Sequence, residues 1–551
     1  MGHACYLSFF NKAKNFIMRH IVLGDEAIAQ GAIDAGISGV YAYPGTPSTE
    51  ITEYIIKKNK AEKLNLHASW SANEKTALEA ALGMSYAGKR VLVAMKHVGL
   101  NVAMDAFMNM AISGINGGLV IVVADDPSMH SSQNEQDSRY LAHFAKVPIV
   151  EPANQQEAYD AIRHAFNLSE RLEIPVLFRI VTRLAHSRSL VNFNSPDCKV
   201  DFQIINNTDR FKLIPTKARP QYEQLIKKQS IICEESKESP FNHLAVGHDT
   251  SLGIVACGIA YNYLMEHFQN NCPYNVLKLS QYPIPKEQIT TIYEKCDKVL
   301  VLEDGYPFIE EQLKNYFDSD SKIIGRLTNH LNRTGELNPD LVAKALGISK
   351  FTNTELPAVV KPRLPKLCEG CGHIDLFNSL NEIKQEIGDG KIFGDIGCYA
   401  LGALPPFETI NTLIDMGASV TMAKGAADAG LKPAIAIIGD STFTHSGMTG
   451  LLDCVNDHSP VTIIISDNAA VAMTGGQESA AWMKLKNICM GLGVHPEHVK
   501  IIEPLPKNHS INVSVIKQEL DYPDVSVIIS QRACVRLPAE RKKIAKEMAY
   551  V

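Results

Sequence analysis

Pro433-Ala-Ile-Ala-Ile-Ile438 runs into Gly439-Asp440-Ser441-Thr442, and 19 residues after Thr442 a second apolar run, Val461-Thr-Ile-Ile-Ile465, leads to Asp467-Asn468. Both runs are short, bounded and rich in β-branched residues, as buried strands are. The segment between them, 446–457, has the length of a helix and tolerates Gly450, so the whole reads as one βαβ unit with parallel neighbouring strands. Their carboxyl ends then lie side by side, where open α/β sheets bind ligands. Asp440 and Asn468 would project hard oxygen ligands into that crevice, suited to a Mg²⁺ that bridges protein to phosphate oxygens. An ordinary strand-end turn gives the same local pattern.

Outward from this unit, the apolar runs at 40–43, 91–95, 119–124, 147–150 and 175–180 alternate with helical segments, and those at 252–256, 275–279 and 298–302 do so again. The fold class expected is α/β, with three parallel-sheet domains. The expected division is an N-terminal extension (1–19), a first domain (20–190), a connecting segment (191–249), a smaller second domain (250–348), a proline-bearing linker (349–366), a third domain (367–538) and a tail (539–551). Cys233-Glu-Glu-Ser-Lys-Glu-Ser-Pro240 reads as an exposed connection. Met18 can equally be the natural first residue.

The hydrophobic fraction of 45 %, charged fraction of 21 % and mean hydropathy of −0.06 are those of a globular chain, and no apolar run approaches membrane-spanning length. A net charge of −6 with no basic cluster argues against nucleic-acid binding. Twelve scattered cysteines without a secretory signal point to a reducing compartment, the cytoplasm, and to thiols or metal ligands.

Ser71-Ala-Asn-Glu74 precedes a small-residue helix, and Ser71 with Glu74 has capping-box spacing. His97 follows a buried-looking strand, where a satisfied core histidine and a proton-transfer residue are both admissible. His445, five residues beyond Asp440, has the same two readings.

The pair Gly439-Asp440-Ser441 and Asp467-Asn468 resembles the thiamine diphosphate signature GDG followed by NN, and Asp467-Asn-Ala-Ala-Val-Ala-Met-Thr-Gly-Gly-Gln477 resembles the TGGQ form of 2-oxoacid:ferredoxin oxidoreductases. Tyr43-Pro-Gly-Thr-Pro-Ser-Thr-Glu50, Met95-Lys-His-Val-Gly-Leu-Asn101, the block 124–139 and Gly394-Asp-Ile-Gly-Cys-Tyr-Ala-Leu-Gly-Ala-Leu-Pro-Pro406 extend the likeness from about His20 to about Pro538. Together they resemble the large, alpha subunit of the indolepyruvate ferredoxin oxidoreductase family. The resemblance implies that two of the three domains bind thiamine diphosphate: the first takes the aminopyrimidine, the third the diphosphate and Mg²⁺ through Asp440 and Asn468. It implies that Glu74 bonds the aminopyrimidine ring and promotes loss of the thiazolium proton. Tyr43, Pro44 and Gly45 would lie beside the cofactor, with Gly439, Ser441, Thr442, His445, Thr474 and Gly475. Thr46 would sit near the substrate carboxylate, and Thr46, Glu74 and His97 would be the catalytic set.

Cys368-Glu-Gly-Cys371, Cys398 and Cys534 fall where related oxidoreductases carry the four ligands of a 4Fe-4S cluster; a zinc site or plain buried thiols are the alternatives. The implied reaction is oxidative decarboxylation of an aryl 2-oxoacid to its coenzyme A thioester, with ferredoxin as acceptor and a smaller beta subunit as partner in a hetero-oligomer. Family members also carry a C-terminal segment with two CxxCxxCxxxCP runs, which this sequence does not contain. The electron exit is therefore expected in a cluster-bearing partner or a single proximal cluster. Without either, the enzyme would be a non-oxidative arylpyruvate decarboxylase.

Overall fold

The computed structural model describes residues 19–196, 208–269, 271–318, 321–348, 357–361 and 365–539. All but the last residue of the expected extension (1–19), most of the linker and nearly all of the tail lie outside the described residues. Three mostly parallel sheets carry the chain. In the first, seven strands run in the order Gln281–Tyr282, Ile149–Val150, Val176–Val181, Leu119–Asp125, Val91–Lys96, Gly39–Ala42, His67–Trp70. All its pairings are parallel except the edge strand Gln281–Tyr282, which is antiparallel. The central strands Val91–Lys96, Leu119–Asp125 and Val176–Val181 are buried throughout, as strands covered by helices on both faces must be.

The second sheet has five strands centred on Asp249–Cys257, with Lys298–Leu302 on one side and Tyr274–Leu279 on the other. Its buried residues, such as Ile254, Leu300 and Val255, belong to the same apolar clusters as the first domain's core. These two domains therefore pack as one body, and the edge strand Gln281–Tyr282 joins the first sheet although its chain neighbours belong to the second. The third sheet, in the order Ile392–Phe393, Ala434–Gly439, Val461–Asp467, Ser526–Gln531, Val499–Ile502, is wholly parallel. It has separate cores on its two faces.

The tract 233–240 is not an exposed connection. Cys233 to Lys237 close the 23-residue helix Pro215–Lys237, and the hydroxyl of Ser236, fully buried, lies 2.8 Å from the Gln281 carbonyl and 2.6 Å from the Pro283 carbonyl, which share its one proton. Its charged neighbours face water. The helix buries only Leu225, Ile232 and Ser236, too narrow a stripe to leave a readable period. The following residues His243–Ala245 already belong to the second sheet, as its antiparallel edge.

Candidate active site

Ala434–Gly439 and Val461–Asp467 pair in parallel, with Gly439 opposite Ser466, so Asp440 and Asp467 emerge together at the carboxyl edge of the third sheet. Asp440 is 2 % exposed. Its Oδ1 accepts from the Ser441 N–H at 2.8 Å, and its Oδ2 is buried without a hydrogen bond. Asp467, also buried, accepts from Ala469 N–H at 3.1 Å and Gln531 Nε2 at 2.9 Å. Burial, then the charge of Asp467, push the Asp440 carboxyl far above the usual range; burial raises Asp467 as well. A buried carboxylate oxygen with no donor is costly unless a cation meets it. The orphaned oxygen thus fits a hard divalent ion. Asn468 is half-buried and its Oδ1 accepts from Ala470 N–H at 3.0 Å.

Helix begins directly at Asp440, and the segment Phe443–Gly447 is a π-helical turn before Met448–Asn456 resumes the α form. Such turns displace side chains from the α register, often at functional sites. Here the displaced residue is His445. Its Nε2 lies 2.8 Å from Glu74 Oε2 and its Nδ1 lies 2.7 Å from Ser446 Oγ. With Nε2 protonated, His445 donates to Glu74 and accepts from Ser446. Asn73 Nδ2 donates to the His445 carbonyl at 3.0 Å, and the Tyr43 ring meets the imidazole edge-on at 4.8 Å. Tyr43, Glu74 and His445 are all nearly fully buried. Burial, then the neighbouring Glu74, push the Tyr43 phenol up, and its hydroxyl has no hydrogen bond.

Glu74 is the first residue of the helix Glu74–Tyr86, but its role there is not capping. Asn73 is the N-cap, accepting from Thr76 N–H at 2.8 Å, and Thr76 completes the reciprocal pair. The Ser71 and Glu74 capping box is thereby corrected: the helix starts two residues later than that spacing requires, which frees the Glu74 carboxylate to cross to the third domain. Gly99 permits this arrangement. A Cβ at Gly99 would stand 2.6 Å from Glu74 Cγ and Oε1, so only glycine lets the helix His97–Val102 close over the carboxylate.

The remaining expected residues are distributed around this centre. Pro44 is buried, Gly45 donates its N–H to Thr49 Oγ1 at 3.0 Å, and the Thr46 carbonyl accepts from Ser131 Oγ at 3.4 Å. His97 is 1 % exposed; its Nε2 lies 3.3 Å from the Asn134 carbonyl, and its Nδ1 has no partner. It faces the 125–139 segment. Thr474 Oγ1 donates to Gln477 Oε1 at 2.7 Å beside Gly475, and Gln477 Nε2 donates to Glu53 Oε1 at 2.7 Å, a second clasp between third and first domains.

Cys368, Cys371, Cys398 and Cys534 line one cavity of about 90 Å³, with Asn468 on its wall. Cys371 N–H bonds the Cys368 carbonyl at 3.1 Å, and Cys534 N–H bonds the Asn468 carbonyl at 2.9 Å, which returns the C-terminal segment to the CxxC turn. Burial, then Cys371, Cys534 and Cys368, push the Cys398 thiol up to about 11. Arg536 Nε lies 3.5 Å from Cys368 Sγ.

Residues 30–232 match the family model described as pyruvate flavodoxin/ferredoxin oxidoreductase, thiamine diP-binding, and residues 395–518 match that of the thiamine pyrophosphate enzyme C-terminal TPP-binding domain. Over 561 residues the chain is 37 % identical to the indolepyruvate oxidoreductase subunit IorA of Archaeoglobus fulgidus, covering 96 % of this chain and 89 % of that protein. The chain belongs to the IorA family of indolepyruvate oxidoreductase subunits. IorA of Pyrococcus abyssi is 35 % identical, over 94 % of this chain and 86 % of that one. A solved 2-oxoglutarate:ferredoxin oxidoreductase from Magnetococcus marinus shares the fold, with a TM-score of 0.50 at 17 % identity, over 60 % of this chain and 65 % of that one.

In this IorA-family chain three contributors escaped the sequence reading. Asn73 fixes the His445 backbone. Asp467 supplies the like charge beside Asp440, and its signal was in the motif itself, where Asp replaces the first Asn. Tyr399, buried, donates to the Ile396 carbonyl at 2.6 Å, its hydroxyl lies 3.0 Å from Thr442 Oγ1, and its ring packs against Gly439. A Cβ at Gly439 would stand 2.5 Å from Tyr399 Cε1. Gly439→Ala is therefore expected to cost about 1–3 kcal/mol by overpacking. An unchanged urea midpoint would contradict that contact.

Proposed function

We propose that this chain is the thiamine diphosphate-binding subunit of an enzyme that oxidatively decarboxylates a 2-oxoacid of the arylpyruvate type, forms its coenzyme A thioester and passes the electrons to ferredoxin. The observation that carries the reading is the 2.8 Å contact between Glu74 and His445, which spans 371 residues and puts the first domain's buried carboxylate in the same site as the Asp440 segment. The IorA relatives are named as indolepyruvate oxidoreductase subunits, which supports both the substrate class and a hetero-oligomer; we read the partner as a smaller second subunit.

Thiamine diphosphate, when bound, supplies the electron sink for cleaving the bond between carboxylate and carbonyl carbon. Asp440 Oδ2 and Asn468 would hold Mg²⁺ and, through it, the diphosphate, with Gly439, Ser441, Thr442, Thr474 and Gly475 around them. Glu74 would hold a proton at the aminopyrimidine ring nitrogen, and its burial keeps competing water away. Tyr43, Pro44, Gly45 and His445 would form the walls. The unpartnered Nδ1 of His97 supports a proton-handling role toward the substrate, and Thr46, on the neighbouring turn, a contact with its carboxylate.

The four cysteines are read as ligands of one 4Fe-4S cluster. The four thiols line one cavity of about 90 Å³, and a cube takes four thiolates, one on each iron. Anaerobically prepared protein is expected to hold about four irons per chain and to lose them in Cys371→Ala; iron-free parent protein would remove the cluster.

The function is tested by anaerobic incubation with the second subunit, an arylpyruvate, coenzyme A and ferredoxin. The thioester is the expected product. Free aldehyde with no thioester would favour the decarboxylase.

A further inference from the structure

Asp25, at the start of the helix Gly24–Asp34, is fully buried, yet both of its carboxylate oxygens lack a hydrogen bond. Around it stand Glu50, at the start of Thr49–Glu62, and His186, the last residue of Thr182–His186. Ligand atoms of these three side chains all lie within 4.8 Å of one another. Glu50 Oε2 has no hydrogen bond of ordinary 2.7–3.2 Å length; it stands at ion-pair distance, 3.4 Å, from His186 Nε2, a pairing that lowers the Glu50 carboxyl and raises the His186 imidazole and that a metal would replace. The nearby Glu26 is engaged elsewhere, accepting from Leu23 N–H at 2.8 Å.

We propose that Asp25, Glu50 and His186 form a binding site for a divalent cation of the zinc type, separate from the Asp440 centre. A buried carboxylate with no donor is accommodated by coordinating a metal or by staying protonated. The second carboxylate and the imidazole favour coordination. Tetrahedral zinc with bonds of about 2.0–2.1 Å to nitrogen and oxygen places its ligand atoms about 3.4 Å apart, the separation found between Glu50 and His186. The imidazole selects against Mg²⁺ and Ca²⁺, which take oxygen ligands.

His186 and Glu50 both reach the solvent side, with side chains 34 % and 37 % exposed, so the ion has an entry path and room for water in the remaining positions. The cation would join the starts of two helices to the end of a third. Thr49, next to Glu50, accepts from Gly45 N–H, and Glu53, one turn on, accepts from Gln477. The ion therefore anchors the helix that holds both the Tyr43–Ser48 turn and the clasp to the third domain.

The test is equilibrium dialysis of chelator-treated full-length protein against ZnCl₂ with excess Mg²⁺ present, and metal analysis of the parent, His186→Gln and Asp25→Asn. All four cluster cysteines are identical in the three proteins, so zinc taken up there cancels in the comparison. The parent is expected to retain one zinc ion per chain more than either variant. His186 is near the surface, and its substitution keeps the test valid even if Asp25→Asn folds poorly. Equal zinc in the parent and His186→Gln would overturn the site. Loss in His186→Gln with full retention in a folded Asp25→Asn would overturn it too, because the buried carboxylate would then be no ligand.

Discussion

Glu74→Gln is expected to lower turnover by about 10²–10⁴-fold, the range ascribed to a positioned acid or base. The amide keeps an oxygen that can accept from His445 Nε2, and Asn73, not residue 74, caps the helix. The stability cost is therefore expected to be about 1 kcal/mol or less. Exchange of the cofactor's thiazolium proton, followed by NMR, reads the first effect and urea denaturation the second. Exchange at the parent rate would show that the carboxylate does not act on the cofactor. A large loss of stability with normal exchange would make Glu74 a domain clasp only.

Asp440→Asn should act on binding in the opposite sense to its effect on the empty protein. The amide removes the charge that meets Mg²⁺, and deleting one partner of a buried charge pair costs about 3–5 kcal/mol. That is roughly 10²–10⁴-fold in the dissociation constant for thiamine diphosphate with Mg²⁺. In the empty protein the same change relieves the repulsion between Asp440 and Asp467, two buried carboxylates whose protonated forms burial favours. Its urea midpoint should hold or rise. Calorimetry showing parent affinity, or a midpoint that falls while affinity stays, would contradict the metal assignment.

The strands of the third sheet were legible because a buried parallel strand writes its burial into consecutive residues, as Ala434 to Gly439 and Val461 to Asp467 do. Pairing them in parallel placed Asp440 beside the end of the next strand without further information. The Glu74 and His445 contact had no such signal. Each residue could be singled out in its own segment, but a polar contact across 371 residues leaves no periodicity. Local polar choices misled for a related reason: Ser71 and Asn73 are both good caps by type, and only the backbone decides that Asn73 takes the position. The helix Pro215–Lys237 was hidden by its own surface, since a long helix burying three residues looks like a polar connection. Tyr399 and Asp467 contribute through packing and charge repulsion, which become visible only when Gly439 and Asp440 have neighbours.

The central claim is that decarboxylation at the Glu74 and Asp440 site is coupled to oxidation. It is tested most directly by measuring CO₂ release and ferredoxin reduction together, anaerobically, in the protein assembled with its second subunit and supplied with an arylpyruvate and coenzyme A. Each CO₂ released should deliver an electron pair to ferredoxin. Continued CO₂ release with ferredoxin left oxidised and aldehyde accumulating would contradict the account.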